Sequence, residues 1–401
     1  MTFHSYKSDY QKQIEEIKND GLYKDERLIC SPQGGRIKVK KDVNASESDI
    51  INFCSNNYLG LSSHPEILQA AHKGLDDRGF GMSSVRFICG TQDIHRELEE
   101  KVSAFLGMED SILFASCFDA NAAVFEVLLG KDDHVICDKL IHASLIDGVR
   151  LCKANRHIYT HSNMEELETV LKGITSGKKL IVTDGVFSMD GDMAKLDQIC
   201  ALAEKYDAMV LSDDSHATGF IGKTGRGTHE HFDVMDKVDI ITTTFGKALG
   251  GATGGCVSGR KEIVTLLKQR GRPYLFSNAL MPAVVQATIR ALDLLMQSTE
   301  RRDKLESLTA FWRKGLTEAG FDLKPGNTPI IPIMLYDAKL AQEFSKKLFD
   351  QGVYAVGFFY PVVPKGEARI RTQVSAALEQ SDLEECLKKF IAIGKELQVI
   401  S

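Results

Sequence analysis

Residues 207–216 read DAMVLSDDSH, and residues 237–251 read KVDIITTTFGKALGG. Each begins as a short apolar run and stops abruptly at polar or glycine-rich residues. The first run, 208–212, closes on Asp213. The second, 238–243, closes on Thr244 and then, across a glycine turn, on Lys247. Short continuous apolar runs bounded by turn residues are the mark of strands buried on both faces.

The same pattern extends outward from this pair. Further apolar runs lie at 111–115, 134–137 and 180–183, and helical patterns at 120–129, 165–172 and 197–206 alternate with them. Strands alternating with helices predict an α/β fold: a large domain with a mostly parallel central sheet and helices on both faces. This block reaches about residue 276, and a long helix at 282–297 leads out of it. The rest predicts strands at 330–335, 354–359 and 369–374, a helix at 338–351 and a closing helix from 381, which make a smaller α+β domain. Upstream lie a polar helix at 7–20, an extended piece at 50–54, a helix at 65–78 and a Gly-rich loop, GFGMSSVRFICGT, at 79–91. The expected division is an N-terminal helix and extended segment (1–60), a large domain (61–280) and a small C-terminal domain (281–401).

Composition narrows the function. Lys and Arg total 49 against 55 Asp and Glu, a net charge of -6, so no nucleic acid or anionic membrane partner is expected. No apolar stretch approaches a membrane span, and the first twenty residues lack a secretory h-region. Nine cysteines, none in C-x-x-C spacing, predict reduced thiols, no metal site and a cytoplasmic location. Two decoys fail. GFIGKTG would need Gly at 217 for a phosphate loop, but position 217 is Ala217. Asp190, Gly191 and Asp192 imitate a calcium loop whose spacing Ala194 breaks. His229 and His231, in a polar loop around Glu230, read as solvated surface.

In open α/β sheets, ligands bind beyond the carboxyl ends of the strands. The groups expected there are Ser116, Cys117 and Phe118; His142; Asp184 and Ser188; Asp213, Asp214 and His216; and Thr244 and Lys247. A lone Asp at a strand end is most often a cap or an ion-pair partner, and a lone loop Lys is as often solvated as not. Together they have a chemical logic. Pyridoxal phosphate needs a Lys amine for its Schiff base and an acidic partner at its ring nitrogen, which fits Lys247 and Asp213. His216 lies within reach of the ring's phenolic oxygen, and His142 offers a flat ring to stack. Ser116, Cys117 and Phe118 open a helix whose start suits a phosphate, with Thr244 adding a hydroxyl.

These residues sit in NFCSNNYLGL, GMSSVRFICGTQDIHRELE, SCFDAN, TDGVFSMDGD, DDSHATGFIG, GKALGGATGG, RPYLFSN and GFFYPVVPKGEARIRTQVSA. On these segments the chain resembles, end to end, the α-oxoamine synthases, fold-type I pyridoxal-phosphate transferases that join an amino acid to an acyl-CoA. The last segment is most similar to the branch that condenses glycine with acetyl-CoA to give 2-amino-3-oxobutyrate and CoA, reversibly and without decarboxylation. The resemblance implies that Lys247 binds the cofactor, Asp213 pairs with the ring nitrogen and His216 with the ring oxygen, and His142 stacks on the ring. It implies that Cys117 and Phe118 border the cofactor, that Ser188 contacts it and that Thr244 touches the phosphate. Arg371 would grip the amino acid carboxylate, with Asn56 nearby. Ser277 and Asn278 would reach the phosphate of a second subunit, in a homodimer with shared active sites.

Overall fold

The computed structural model describes residues 3–19, 22–24 and 26–401. Of the polar stretch at the start, Met1, Thr2 and Asp20 lie outside the described residues. The first helix is α1 (His4–Asn19), followed by strands β1 (Leu28–Ile29), β2 (Arg36–Lys40) and β3 (Ser48–Asn52). Helices α2 (Pro65–Arg78) and α3 (Asp93–Leu106) flank the Gly-rich loop. Alternation then sets in: β4 (Asp110–Phe114), α4 (Cys117–Leu128), β5 (His134–Asp138), α5 (Ala143–Leu151), β6 (Asn155–Tyr159), α6 (Met164–Gly173), β7 (Lys179–Asp184), α7 (Leu196–Tyr206) and β8 (Met209–Asp213). A single helical turn, α8 (Thr228–His231), precedes β9 (Ile240–Thr244) and β10 (Gly255–Gly259). Four helices follow: α9 (Lys261–Arg270), α10 (Arg272–Phe276), α11 (Pro282–Gln297) and α12 (Glu300–Glu318). The C-terminal part is β11 (Ile330–Tyr336), α13 (Ala338–Asp350), β12 (Val353–Tyr354), β13 (Val356–Phe358), β14 (Ala368–Gln373) and α14 (Gln380–Glu396).

The large sheet has the order β4-β10-β9-β8-β7-β5-β6. Strands β9, β8, β7, β5 and β6 run parallel, while β10 is antiparallel to both β4 and β9. Side chains alternate between two cores. Ile136, Ile181, Val210 and Ile241 face one; Val135, Leu180, Val182, Leu211 and Ile240 face the other. Covering both faces explains why these strands read as unbroken apolar runs. Each fully buried aliphatic side chain contributes about 1.5–3 kcal/mol relative to exposure.

Strand β10 passes close beneath the start of α4. A Cβ on Gly255 would lie 2.6 Å from the backbone nitrogen of Cys117, so glycine is required for that approach. Helix α11 packs on α2 and α3. Two smaller sheets complete the chain. In one, β3 pairs in parallel with β12; in the other, β14 runs between β11 and β13. Trp312 of α12 is fully buried, stacks on Phe53 at 4.9 Å and donates to Thr372 Oγ1 at 3.0 Å.

Candidate active site

The carboxyl ends of the parallel strands meet around one cavity of about 230 Å³. Strand β8 delivers Asp213 to it, β9 delivers Thr244, and the turn after β9 delivers Lys247. That turn needs Gly251: its φ is +75°, and a Cβ there would lie 2.2 Å from Ser62 Oγ. Lys247 is half-buried as a residue, but its ammonium is largely desolvated. Burial pushes its pKa below the usual lysine value, and Asp213 only partly opposes the shift.

Asp213 is buried and held from two sides. Its carboxylate accepts from Asn121 Nδ2 at 2.7 Å and from Ser215 N at 2.9 Å. Asn121 also donates to Ser144 Oγ at 2.9 Å. Asp184 lies in register with Asp213 on the neighbouring strand, and burial, with Asp213 adding repulsion, raises its pKa well above the usual carboxylate value. This environment favours the protonated form of Asp184, which accepts from the backbone of His142 at 3.1 Å.

His142 caps α5 and shares a 2.7 Å hydrogen bond with Ser144 Oγ through Nδ1. Burial lowers its pKa and favours a neutral, flat ring on the cavity wall. His216 is buried too, and burial, reinforced by Lys247 and Arg371, pushes its pKa well below the usual value. Its Nδ1 lies 2.8 Å from the hydroxyl of Tyr58, which donates to Gln373 Oε1 at 3.1 Å. Gln373 in turn donates to Asn56 Oδ1 at 3.1 Å. Asn56 thus meets the site through a chain of hydrogen bonds that ends on His216.

Helix α4 begins at Cys117, three residues before the helical pattern read at 120–129, with Ser116 as its cap. Ser116 Oγ accepts from Asp119 N at 3.1 Å. Ser116, Cys117 and Phe118 all line the cavity, so the helix start and its unpaired N–H groups face it. Thr244 Oγ1 donates to Gly254 O at 3.2 Å and accepts from Gly246 N at 3.1 Å.

Arg371, Ser188, Ser277 and Asn278 stand outside the lining of this cavity. Arg371 Nη1 donates to Ser188 O at 2.8 Å, and its guanidinium lies 4.5 Å from the centre of the Phe358 ring. Its Nε is buried without a partner among the described residues. Ser277 ends α10, and the backbone of Asn278 bridges to Val85. In the 271–282 segment Tyr274 and Leu280 are buried within their own chain, whereas Phe276 is 69% exposed; Phe87 (62%) and Ile88 (69%), in the loop whose Val85 bridges to Asn278, are exposed as well.

One sequence reading is corrected. His229 is not solvated: it is fully buried, with Nε2 2.8 Å from Leu106 O and Nδ1 3.7 Å from Asp214. The short helix α8 turns it inward, while its polar neighbour His231 stays exposed. Asp214 accepts from Thr228 N at 2.7 Å, so it fastens this turn and does not face the cavity. No cluster suited to a metal occurs among the described residues. Asn121, Tyr58 and Gln373 were not singled out from sequence. Asn121 was within reach, because a helix starting at Cys117 places it one turn on and on the same face. Tyr58 and Gln373 left no such signal, since they lie 158 and 315 positions from their partners His216 and Tyr58.

The "Aminotransferase class I and II" family model matches residues 48–390, and the chain belongs to that family. The 2-amino-3-ketobutyrate coenzyme A ligase of Escherichia coli (strain K12) is 55% identical over 391 residues, 97% of each chain. The mitochondrial 2-amino-3-ketobutyrate coenzyme A ligase of Homo sapiens is 50% identical over 384 residues, 96% of this chain and 91% of that one. A serine palmitoyltransferase variant from S. paucimobilis, solved with a bound PLP–myriocin aldimine, superposes with a TM-score of 0.92 at 28% identity over all of both chains. The fold is that of the fold-type I PLP transferases: a large, mostly parallel sheet with a smaller C-terminal part. The cavity fits pyridoxal phosphate on its own chemistry. It offers a desolvated amine, a buried carboxylate for a ring N–H, a neutral flat imidazole and a helix start for the phosphate.

Proposed function

We propose that this chain is a PLP-dependent acyltransferase with glycine C-acetyltransferase activity. It condenses glycine with acetyl-CoA to 2-amino-3-oxobutyrate and CoA, reversibly and without release of carbon dioxide. The observation that carries the reading is Asp213, held by Asn121 and Ser215 in the same cavity as the desolvated Lys247. The identity of 55% over 97% of the chain to a 2-amino-3-ketobutyrate coenzyme A ligase supports this choice of substrates.

When bound, pyridoxal phosphate supplies an electron sink for the α-carbon of an attached amino acid. Lys247 anchors the cofactor at rest. The Lys247 amine would serve as the base that removes the α-proton of the amino acid substrate. Its burial-lowered pKa favours the neutral base that this step needs. Asp213 keeps a proton on the ring nitrogen, and His216 meets the ring's phenolic oxygen. His142 would stack on the ring and, being neutral, would bring no competing charge to it. The start of α4 and Thr244 would hold the phosphate, Cys117 and Phe118 would border the ring, and Ser188 would contribute from the loop after β7. Arg371 grips the amino acid carboxylate with two parallel N–H donors, with Asn56 nearby.

In threonine breakdown the same reversible reaction would run as cleavage of 2-amino-3-oxobutyrate with CoA. We assign the enzyme to the cytoplasm; among the described residues no helix is long and apolar enough to cross a membrane. We also infer a homodimer in which Ser277 and Asn278 reach the neighbouring subunit's phosphate. The exposed Phe276, next in sequence to Ser277, and the exposed Phe87 and Ile88, in the loop whose Val85 bridges to Asn278, suit an interface.

Product identification tests the activity. Glycine is supplied with a series of acyl-CoA donors, and both the amino ketone and any carbon dioxide are measured. Acetyl-CoA is expected to be the best donor, with the glycine carboxylate retained. Faster turnover of a long acyl-CoA, or stoichiometric carbon dioxide, would place the chain in another branch of the α-oxoamine synthases.

A further inference from the structure

Residues 186–193 form a hairpin closed by an antiparallel bridge between Val186 and Met193. Phe187 N donates to Asp192 O at 3.0 Å, and Gly191 N to Phe187 O at 2.8 Å. The hairpin opens on Val186, which lines the Lys247 cavity, and carries Ser188, whose carbonyl accepts from Arg371. Its tip rests on the C-terminal part of the chain. Gly191 has φ +73°, a Cβ there would lie 2.2 Å from Ile330 O, and Thr328 Oγ1 donates to Gly191 O at 2.6 Å.

The two acids that flank the tip turn in opposite directions. Asp190 accepts from Arg369 Nη1 at 2.5 Å and has Lys324 Nζ at 3.3 Å. Asp192 lies 2.8 Å from His161 Nε2, and the other nitrogen of the same ring lies 2.9 Å from Asp138 Oδ1. Asp138 ends β5, is buried, and also accepts from Leu140 N at 2.8 Å and Ser162 N at 2.9 Å. The Phe187 ring stands edge-on to His161 at 4.4 Å. Other titratable groups nearby include the buried Tyr159, Cys137 and Asp184, which act on Asp138, and Lys195, whose Nζ donates to Ser162 O at 3.1 Å. A neutral imidazole has a single N–H and could serve only one of the two carboxylates. Burial opposes the charged ring, yet the hydrogen bonds to Asp138 and Asp192 outweigh it and lift the pKa of His161 to about 10. At neutral pH the imidazolium therefore donates to both acids and ties the end of β5 to the hairpin.

We propose that His161 is a positioning residue for the amino acid substrate: bridging Asp138 and Asp192, it fixes the 186–193 hairpin, whose Ser188 carbonyl sets the guanidinium of Arg371. The inference rests on the reading of Arg371 as the carboxylate grip. A recognition group displaced by a fraction of an ångström loses its geometry while the chemistry beneath it is untouched.

The test uses the holoenzyme with His161→Gln and, as a second route to the same loosening, Asp192→Ala, beside Arg371→Lys. KM is measured for glycine and for acetyl-CoA, with the visible absorbance of the bound cofactor and the melting temperature recorded for each variant. His161→Gln and Asp192→Ala are expected to raise the glycine KM about tenfold and leave the acetyl-CoA KM within about twofold, with cofactor absorbance unchanged. If Arg371→Lys raises the glycine KM and neither hairpin variant does, the proposal is overturned and Arg371 keeps its role. Equal rises in both KM values would make His161 a merely structural residue and also overturn the proposal. If Arg371→Lys leaves the glycine KM unchanged, the carboxylate reading fails and the proposal falls with it.

Discussion

The floor and the rim of this site are finished to different degrees within one chain. On the floor, the titratable groups that face the cofactor cavity have internal partners, with only Asn121 Oδ1 left unpaired among the atoms that hold them: Asn121 and Ser215 for Asp213, the His142 backbone for Asp184, and Tyr58 for His216. On the rim, Arg371 keeps a buried Nε without a partner among the described residues; Phe276 is exposed, as are Phe87 and Ile88 in the loop whose Val85 bridges to Asn278. An unpaired buried donor costs about 1–3 kcal/mol, and exposed aromatic clusters usually mark interfaces. The difference teaches where each task is encoded. On the proposed reading, the chemistry is set by strand ends that one chain positions alone, whereas recognition falls to groups that pair with something outside it.

The comparison breaks first at Lys247. Lys247→Ala is expected to abolish turnover while circular dichroism stays that of the native fold. Cofactor would still associate weakly through its phosphate contacts, but the absorbance band of lysine-linked cofactor would be gone. A purified variant that kept that band would show that another lysine does the work. Asp213→Asn comes next. An amide cannot hold the ring nitrogen protonated, and a preorganised charge in a dry site is worth a factor on the order of a hundred or more in rate. Activity within a few-fold of wild type would remove Asp213 from that role.

The floor was also the more legible part of the sequence. Lys247, Asp213, His142 and Thr244 follow strands or turns whose apolar runs are hard to mistake, so their convergence could be read from alternation alone. Two strands of the same sheet escaped. Strand β6, NRHIY, lies at the sheet edge and is mostly exposed, so it carries no apolar run. Strand β10, GCVSG, is fully buried but built from small residues, because Gly255 must pass the backbone of Cys117 and Gly259 the carbonyl of Asp239. Helix α12 was also missed. Its ERRDKLESLTAFWRKGLTE is charged along much of its length, and the burial of Trp312 depends on Phe53 and Phe390, far away in sequence. His229 was misjudged for the same reason: a polar neighbourhood in sequence says little about which side of a turn faces inward. The rim residues Arg371, Ser277 and Asn278 came from family resemblance, since nothing in their local pattern announces a carboxylate or a second subunit.

The smallest expected effect is the one that sharpens the contrast most. If the rim serves the neighbouring subunit, a floor defect and a rim defect carried on different chains should compensate. Lys247→Ala is inactive alone. A double variant, Ser277→Ala with Asn278→Ala, should be crippled alone, because each of its sites lacks the donors that the other chain supplies. In a mixed dimer, one site receives both defects. The other combines an intact Lys247 with intact rim residues from its partner, and closed two-fold symmetry makes this assignment unavoidable. With free subunit exchange at equal amounts, half of the dimers are mixed and each has one working site. Activity should therefore return to about a quarter of the wild-type level, measured per total sites. The readout is glycine- and acetyl-CoA-dependent turnover before and after exchange, with exchange itself followed by mass-tagged subunits. Proven exchange without recovery would show that Ser277 and Asn278 act within their own chain, and the rim would then be as self-contained as the floor.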